Sequence, residues 1–577
     1  MAVFWFLPQA RTRAKVEKTE CNIQQDDRLY WAPPPASNPP VFSPPPQPPR
    51  PPSMRLCSFI LVLLGCVPRG IAGDPTTQIN SQLSAAWQER KVQPAERCDD
   101  RTFVRRVYLD LAGRIPTREE SRTFLADPRD DRRQTLVERL LGSEDHAQHF
   151  ADLFDVILMG RADEGTYQRR ARHGWRAFLE TAFRENRPWD EVARQILIAR
   201  PSDKEHDGAV WFLYEREDNY QAIAEAVAPA FFGIRIECAQ CHDHMMADEI
   251  EQAHYWGLVA FFNRGKNEDT PNGPRVAESA VGGFSEFANL EGSSTPNFLT
   301  FLDAGTVAEE RPAKEVKRSD EDRLYVSAEV PGDPREPIFS RRQKFVTQVL
   351  DGHPLLARAM VNRVWAILMA RGIVHPHDEI DSMHPPSHPD LLDWLSDDFA
   401  ASGFDVRRLV RSIVLSDAYQ LSARRPTQAT PPDSFAWYLE RPLTAEQLAR
   451  SIQLVLRGSF QNDASVVEDL RQQILEVLPD TVEVPIGDAL FFSNHANLDA
   501  FIRASDGDDQ LIAGVLACET ADERAERLIE TAFGRSPTES ETSAITAYLD
   551  QRSERPEEAV AQIVWSLITS AEFRFNH

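Results

Sequence analysis

In the stretch ECAQCHDHMM, Cys238 and Cys241 are separated by two residues and His242 follows at once. Two thiols at that spacing can add to the two vinyl groups of one haem. The adjoining histidine then lies under the porphyrin face as an iron ligand. The same three residues with His244 make a set of two sulfur and two nitrogen donors that suits zinc. A short redox-active disulfide between Cys238 and Cys241 is the third chemistry open to the pattern. A haem also needs a second axial partner or an open face. Met245 and Met246 stand too close to His242 to reach the opposite face, which leaves Met159, His254 or a histidine of the C-terminal half.

A second dense stretch runs from Val374 to His388 and contains HPHDEIDSMHPPSH. Asp378, Glu379, Asp381, His384 and His388, with Asp110 from elsewhere in the chain, are groups that could serve acid-base catalysis or ligation. The plainer reading is a polar loop whose Asp and Ser cap the helix that follows. No nucleophile elbow, phosphate loop or zincin motif occurs in the sequence.

Helices must position these groups. The approach AIAEAVAPAFFGIRIE is apolar and helix-like, and Phe231, Phe232 and Ile234 either cover a porphyrin edge or belong to a core. From about residue 76 to 265 the chain reads as mostly helical. Phe103, Val104, Val107, Leu109 and Leu111 form a stripe, Gly113 stops it, Pro116 bars continuation, and Thr117 with Glu120 spells a capping box. The punctuation GRIPTREE returns as GRSPTESE from Gly534, and the serine turn of LLGSEDH returns in LITSAEF and IVLSDAY. Reused helix-turn-helix units and a shared capping grammar both explain this. Residues 266–340 are rich in Gly, Pro, Asp and Ser with short β-type runs. From 341 to 577 helices return, and PLLARAMVNRVWAILMARGIV reads as amphipathic, with Leu355, Leu356, Met360, Val361, Val364, Trp365 and Leu368 on or near one stripe. The expected fold is mainly α: two helical blocks, 76–265 and 341–577, joined by a loop-and-short-strand insert at 266–340.

The 577 residues are 42% hydrophobic with a net charge of -25. That size supports a substantial core, and the charge argues against a nucleic-acid partner. Residues 1–53 read as a disordered, Pro-rich extension, and residues 54–73 read as a signal peptide. Met54, Arg55 and the apolar run from Leu56 to Val67 give the usual order for export, so Met54 is expected to be the true start. Gly70 and Ala72 offer a cleavage site, while LLGC offers lipidation at Cys66 as the alternative. Either route places the protein outside the cytoplasm, with no transmembrane helix in the mature chain. Of seven cysteines, Cys98, Cys238, Cys241 and Cys518 follow the export segment. With the central two occupied, Cys98 and Cys518 are left as a candidate pair.

These motifs together resemble a family of large secreted planctomycete cytochrome-like proteins that pair the domain of unknown function 1549 with the domain of unknown function 1553. VRRVYLDLAGRIPTREE, NRPWDEVARQIL and CAQCHDH with YWGLVAFF carry the first resemblance. VNRVWAILMARGIV, the segment from PPSHPDLLDWL to SDAYQLS, LTAEQLAR and LITSAEFRFNH carry the second. The resemblance implies export and a cytochrome relation through Cys238, Cys241 and His242; it implies no established activity. Relatives usually follow the second histidine with Pro and an aromatic residue, where this chain has Met245 and Met246. Many also carry a separate cytochrome module with its own Cys-x-x-Cys-His.

Three functions follow as expectations. The first is an exported c-type protein holding haem c on Cys238 and Cys241, with His242 on the iron and an unidentified redox partner. The second is an exported hydrolase or polysaccharide-binding protein in which the motif is structural or holds zinc through His242 and His244. The third is a scaffold without catalysis or cofactor.

Overall fold

The computed structural model describes residues 73–577 apart from interior stretches at 202–203, 289–291, 313–318, 329, 460–463, 475–476, 479–501 and 503–509. The expectations for 1–53 and for the export segment, Cys66 included, fall outside the described residues save for Gly73. The architecture is mainly α, and among the described residues the strands form only two-stranded sheets. Among the described residues no helix is long and apolar enough to cross a membrane.

Local chemistry sets the helix ends. Asp74, Asp99, Ser143, Asp163 and Asn219 each accept a backbone N–H three residues on, filling donors that a helix start leaves without partners. Gly113 ends the helix Asp100–Ala112 in the left-handed region at φ +66°, and Thr117 and Glu120 close a full capping box on Arg118–Ala126. Gly534, at φ +72°, and the Thr538–Glu541 box do the same between Ala521–Phe533 and Glu539–Asp550.

The likeness of these two units extends to their polar wiring. Arg114 holds Glu120 at 2.8 and 2.9 Å and Asp145 at 2.8 Å. Arg535 holds Glu541 at 2.9 and 2.7 Å and Glu572 at 2.6 Å. Ser143 and Ser570 each donate to the carbonyl three residues back at 2.6 Å while capping the next helix. Ser416 repeats the serine turn, at 2.7 Å from Ile413 O. Capping alone does not require the matched Arg–carboxylate pairs, so the repeat is one of structure.

Between the helical segments the described residues form four short hairpins. The longest pairs Gly265–Thr270 with Gly273–Glu278 in antiparallel register, and the last pairs Tyr325–Val326 with Glu336–Pro337. Arg341 and Arg342 bind this insert to the helices. Arg341 reaches Glu309 at 2.9 and 2.7 Å and Ala260 O at 2.8 Å; Arg342 reaches Val276 O at 2.6 Å.

The cores divide at a different place from the insert. One apolar core takes side chains from Ile79 to Tyr438 and so includes the helices on both sides of the insert. A second gathers Leu109, Ile115 and side chains from Leu443 to Phe573. Between them lies a buried polar group. Asp110 accepts from Tyr419 at 2.6 Å, Tyr438 at 3.3 Å and Asn576 at 2.8 Å, and pairs with Arg441. The Arg106 guanidinium lies 3.5 Å from the Tyr438 ring centre. Asp110 is fully enclosed, so it is a structural group and not an accessible acid or base.

The helix Pro354–Met369 also departs from its expected character. Thirteen of its sixteen residues are buried, so it is a central core helix and not an amphipathic surface one. Its two buried polar residues answer backbone groups. Asn362 donates to Val374 O at 2.9 Å and His377 O at 3.0 Å and accepts from Val374 N at 2.9 Å. Arg363 donates to Ala230 O at 2.8 Å and Pro229 O at 2.6 Å. Adjacent side chains of one helix thus hold the histidine-rich loop and the approach to the cysteine motif.

Candidate functional site

The approach helix Tyr220–Val227 widens into a π turn over Ala228–Phe232 and ends at Gly233, φ +66°. A Cβ on Gly233 would lie 2.8 Å from Ile380 Cδ1 and 3.0 Å from Ala359 Cβ, so glycine serves both the turn and the close packing. Phe231 packs on Trp189 and Phe212, and Phe232 on Phe301, Phe345 and His353. Both rings and Ile234 are buried in the core. They are walls of the protein and offer no porphyrin face.

The motif itself sits on a 3-10 turn, Glu237–Gln240, with Cys238 and Cys241 exposed and Ala239 buried beneath them. Gln240 O accepts from Trp256 Nε1 at 3.0 Å and from Gln252 Nε2 at 3.1 Å, which pins the turn to the helix Gln252–Phe262. Asp243 caps that helix by accepting from Gln252 N at 2.8 Å, and His244 N donates to Ile250 O at 2.8 Å to close the following loop.

The two histidines of the motif differ in which ring nitrogen is engaged. His242 Nδ1 lies 2.7 Å from Asp243 O, and since a carbonyl only accepts, Nδ1 carries the proton and Nε2 the free lone pair. That is the arrangement of a metal-ligating histidine, whose second nitrogen donates to a carbonyl or carboxylate. His244 Nδ1 instead accepts from Ala247 N at 2.9 Å and Met246 N at 3.3 Å. Its proton therefore sits on Nε2, and neither nitrogen is free to ligate without breaking this turn. Among the described residues no group of three or more His, Cys, Asp and Glu is set out to hold a metal ion, so the zinc set with His244 is not assembled.

The expected second axial partners are otherwise engaged. His254 Nδ1 accepts from Glu251 N at 3.1 Å as part of a capping box. Met159 Sδ lies 3.6 Å from Arg216 at the end of the helix Glu144–Met159. Cys98 is buried in the larger core and Cys518 donates to Gly514 O at 3.2 Å; both are free thiols and do not form the candidate pair.

The histidine-rich loop lies directly beside the motif. Ile380 N donates to Gly233 O at 2.8 Å, Arg235 pairs with Asp378 at 3.0 Å and with Glu379 at 3.3 Å, and Glu249 accepts from Ser382 N at 2.6 Å and Ser382 Oγ at 2.9 Å. Burial opposes ionisation of Asp378, but His377 and Arg235 hold its carboxyl below the usual range. Burial likewise opposes ionisation of Glu249, and its own backbone N–H with the N–H and hydroxyl of Ser382 hold it low. His384 is clamped between Glu379 at 3.1 Å and Asp381 at 2.9 Å. His388 is buried against Phe435, away from solvent. The loop does not cap the next helix through Asp or Ser. Pro389–Ala401 starts at His388 with no side-chain cap, and Ser387 turns its hydroxyl to Ile373 O at 3.1 Å. Proline at the first position lacks an N–H, which lowers the need for a cap.

The loop that carries Asp378, Glu379, Asp381 and His384 is therefore bonded to the segments on either side of the motif, through Gly233, Arg235 and Glu249, whereas Asp110 is absorbed in the core. The contacts of Glu249, Gln252, Trp256 and Ser382 were not legible in sequence, because nothing local distinguishes a glutamate that meets a serine so far along the chain.

No curated protein matches this chain, and no solved structure does. Residues 78–267, which carry the approach helix, the motif and the helix that pins it, match the family model PSCyt2, described as a protein of unknown function (DUF1549). Residues 341–465, which carry the central helix and the histidine-rich loop, match PSD1, also described as a protein of unknown function (DUF1553). The chain therefore carries these two domains of unknown function in this order.

Proposed function

We propose that this is an exported c-type haem protein, with the haem bonded through Cys238 and Cys241 and His242 Nε2 as the iron ligand. The observation that carries this reading is the divided chemistry of the two histidines: His242 donates through Nδ1 and keeps Nε2 free, while His244 gives its Nδ1 to the backbone. Exposed thiols on one turn suit thioether formation, and the export segment expected at 54–73 suits a compartment in which such attachment is completed. The bound haem would supply one-electron chemistry. The protein's own part is to hold the turn still, through Gln240 O on Trp256 and Gln252, and to fix the tautomer of His242 through Asp243 O. With Phe231 and Phe232 in the core, the cofactor would lie at the surface and not in a deep pocket.

The test is expression with a c-type maturation system, followed by a pyridine haemochrome spectrum. The expected result is a thioether-bonded haem that disappears in Cys238→Ala/Cys241→Ala. A colourless protein that retains zinc would contradict the reading and return the motif to a structural or zinc-holding role.

A further inference from the structure

We propose that the surface around Cys238 and Cys241 docks a basic, lysine-faced redox protein, with exposed methionines at the centre of the contact and carboxylates around it. This inference rests on the haem reading and gives it the class of partner it needs. Met245 is 80% exposed, Met246 60% and Met383 40%. Among the described residues the other large exposed apolar side chains, Phe298, Val326 and Ile338, all belong to the insert. A single exposed apolar residue is ordinary, but these three occupy two loops joined by the Glu249–Ser382 hydrogen bonds. Methionine is the side chain best able to adapt to a varied partner, being unbranched and polarisable.

Charge selects the partner. Residues 236–251 contain five carboxylates and no Lys or Arg, and residues 374–388 contain three carboxylates and no Lys or Arg. Arg235, at the edge, is paired with Asp378 and Glu379. A surface of this kind attracts a cationic face and repels an acidic one, and it acts mainly on the rate and register of encounter. Redox encounters use small contacts, below about 1,200 Å² in total, which loops of this size can supply. The thiols are exposed on the same turn, so a group bonded to them would stand at the contact.

The probe is a lysine-rich cytochrome c, with an acidic cytochrome of similar size as comparison. Binding to the full chain is followed by NMR line broadening of the probe at ionic strengths of about 10 and 100 mM, where the Debye length is ~30 and ~10 Å. The basic probe is expected to bind and to weaken at least tenfold at the higher salt. Met245→Ser/Met246→Ser/Met383→Ser and Glu237→Gln/Asp248→Asn are each expected to weaken it about tenfold. The control Glu554→Gln/Glu557→Gln, at an exposed turn of the second core, leaves it unchanged. Failure of the basic probe to bind, equal effects of patch and control variants, or tight binding of the acidic cytochrome would overturn the docking surface. Proteins made with and without the maturation system separate the two readings. A chain that stays haem-free after maturation but loses binding in its patch variants keeps the surface and removes the haem. A haem-loaded chain whose patch variants bind as tightly as the parent keeps the haem and removes the surface.

Discussion

His242 and His244 are two residues apart and of one type, yet the backbone assigns them different work. A histidine that donates to a carbonyl presents a lone pair outward, and one that accepts from amides does not. His242→Ala in the matured protein should therefore change the ferric Soret band and lower the yield of attached haem, whereas His244→Ala should leave the spectrum intact; equal spectral loss in both would contradict the assignment. Asp110 presents the opposite case, a carboxylate with every partner inside the fold. Burial pushes its carboxyl up and Arg441, Tyr419 and Arg106 pull it down, with burial prevailing. Removing it strands Arg441 and Asn576 without solvent, so Asp110→Ala should cost about 3–5 kcal/mol in urea unfolding. A cost under 1 kcal/mol would show that water or repacking replaces the carboxylate.

Elements show which signals survive in sequence. The caps at Thr117 and Thr538 were legible because each joins residues three apart, and each hydroxyl to Ala should cost about 1 kcal/mol by thermal unfolding. The repeated Gly-Arg-x-Pro-Thr spelling was legible too, but its Arg114–Asp145 and Arg535–Glu572 pairs were not, since they cross between helices. The apolar pattern of Pro354–Met369 suggested one buried face. What it did not disclose is that Asn362 and Arg363 are buried as well, because their partners are backbone groups, which carry no sequence signature. Asn362 is the direct test of how the histidine-rich loop is held. Asn362→Leu leaves the polar groups of Val374 without partners and should cost about 3 kcal/mol. Hydrogen exchange should then quicken across 374–388 and stay slow in Glu539–Asp550; uniform quickening would mean a global loss instead.

At the scale of the molecule, the helical character and the insert were legible from composition and punctuation, while the partition of the cores near residue 440 was not. That partition depends on a buried polar group drawn from four distant parts of the chain. It also depends on Leu109 and Ile115, which leave their own helical segment to join the second core. The same interior fixes the acid response. Burial lowers His146, His388 and His577 to about 4 from an ordinary 6.5. Between those values the unfolded chain binds more protons than the fold, so stability is full above about 6.5 and falls as pH is lowered toward about 4. Glu446, opposed by burial but held down to about 2 by Arg161 and Arg471, adds a further loss as pH falls from 4.5 through about 2. Urea midpoints should drop steadily from pH 7 to pH 4; a flat profile would show that the three histidines are hydrated. The haem reading itself meets its most direct test in the intact mass of the protein purified after c-type maturation. One added haem, resistant to acid-acetone extraction and lost with Cys238→Ala/Cys241→Ala, is the expected result. An unmodified mass with both thiols free to alkylation would contradict it.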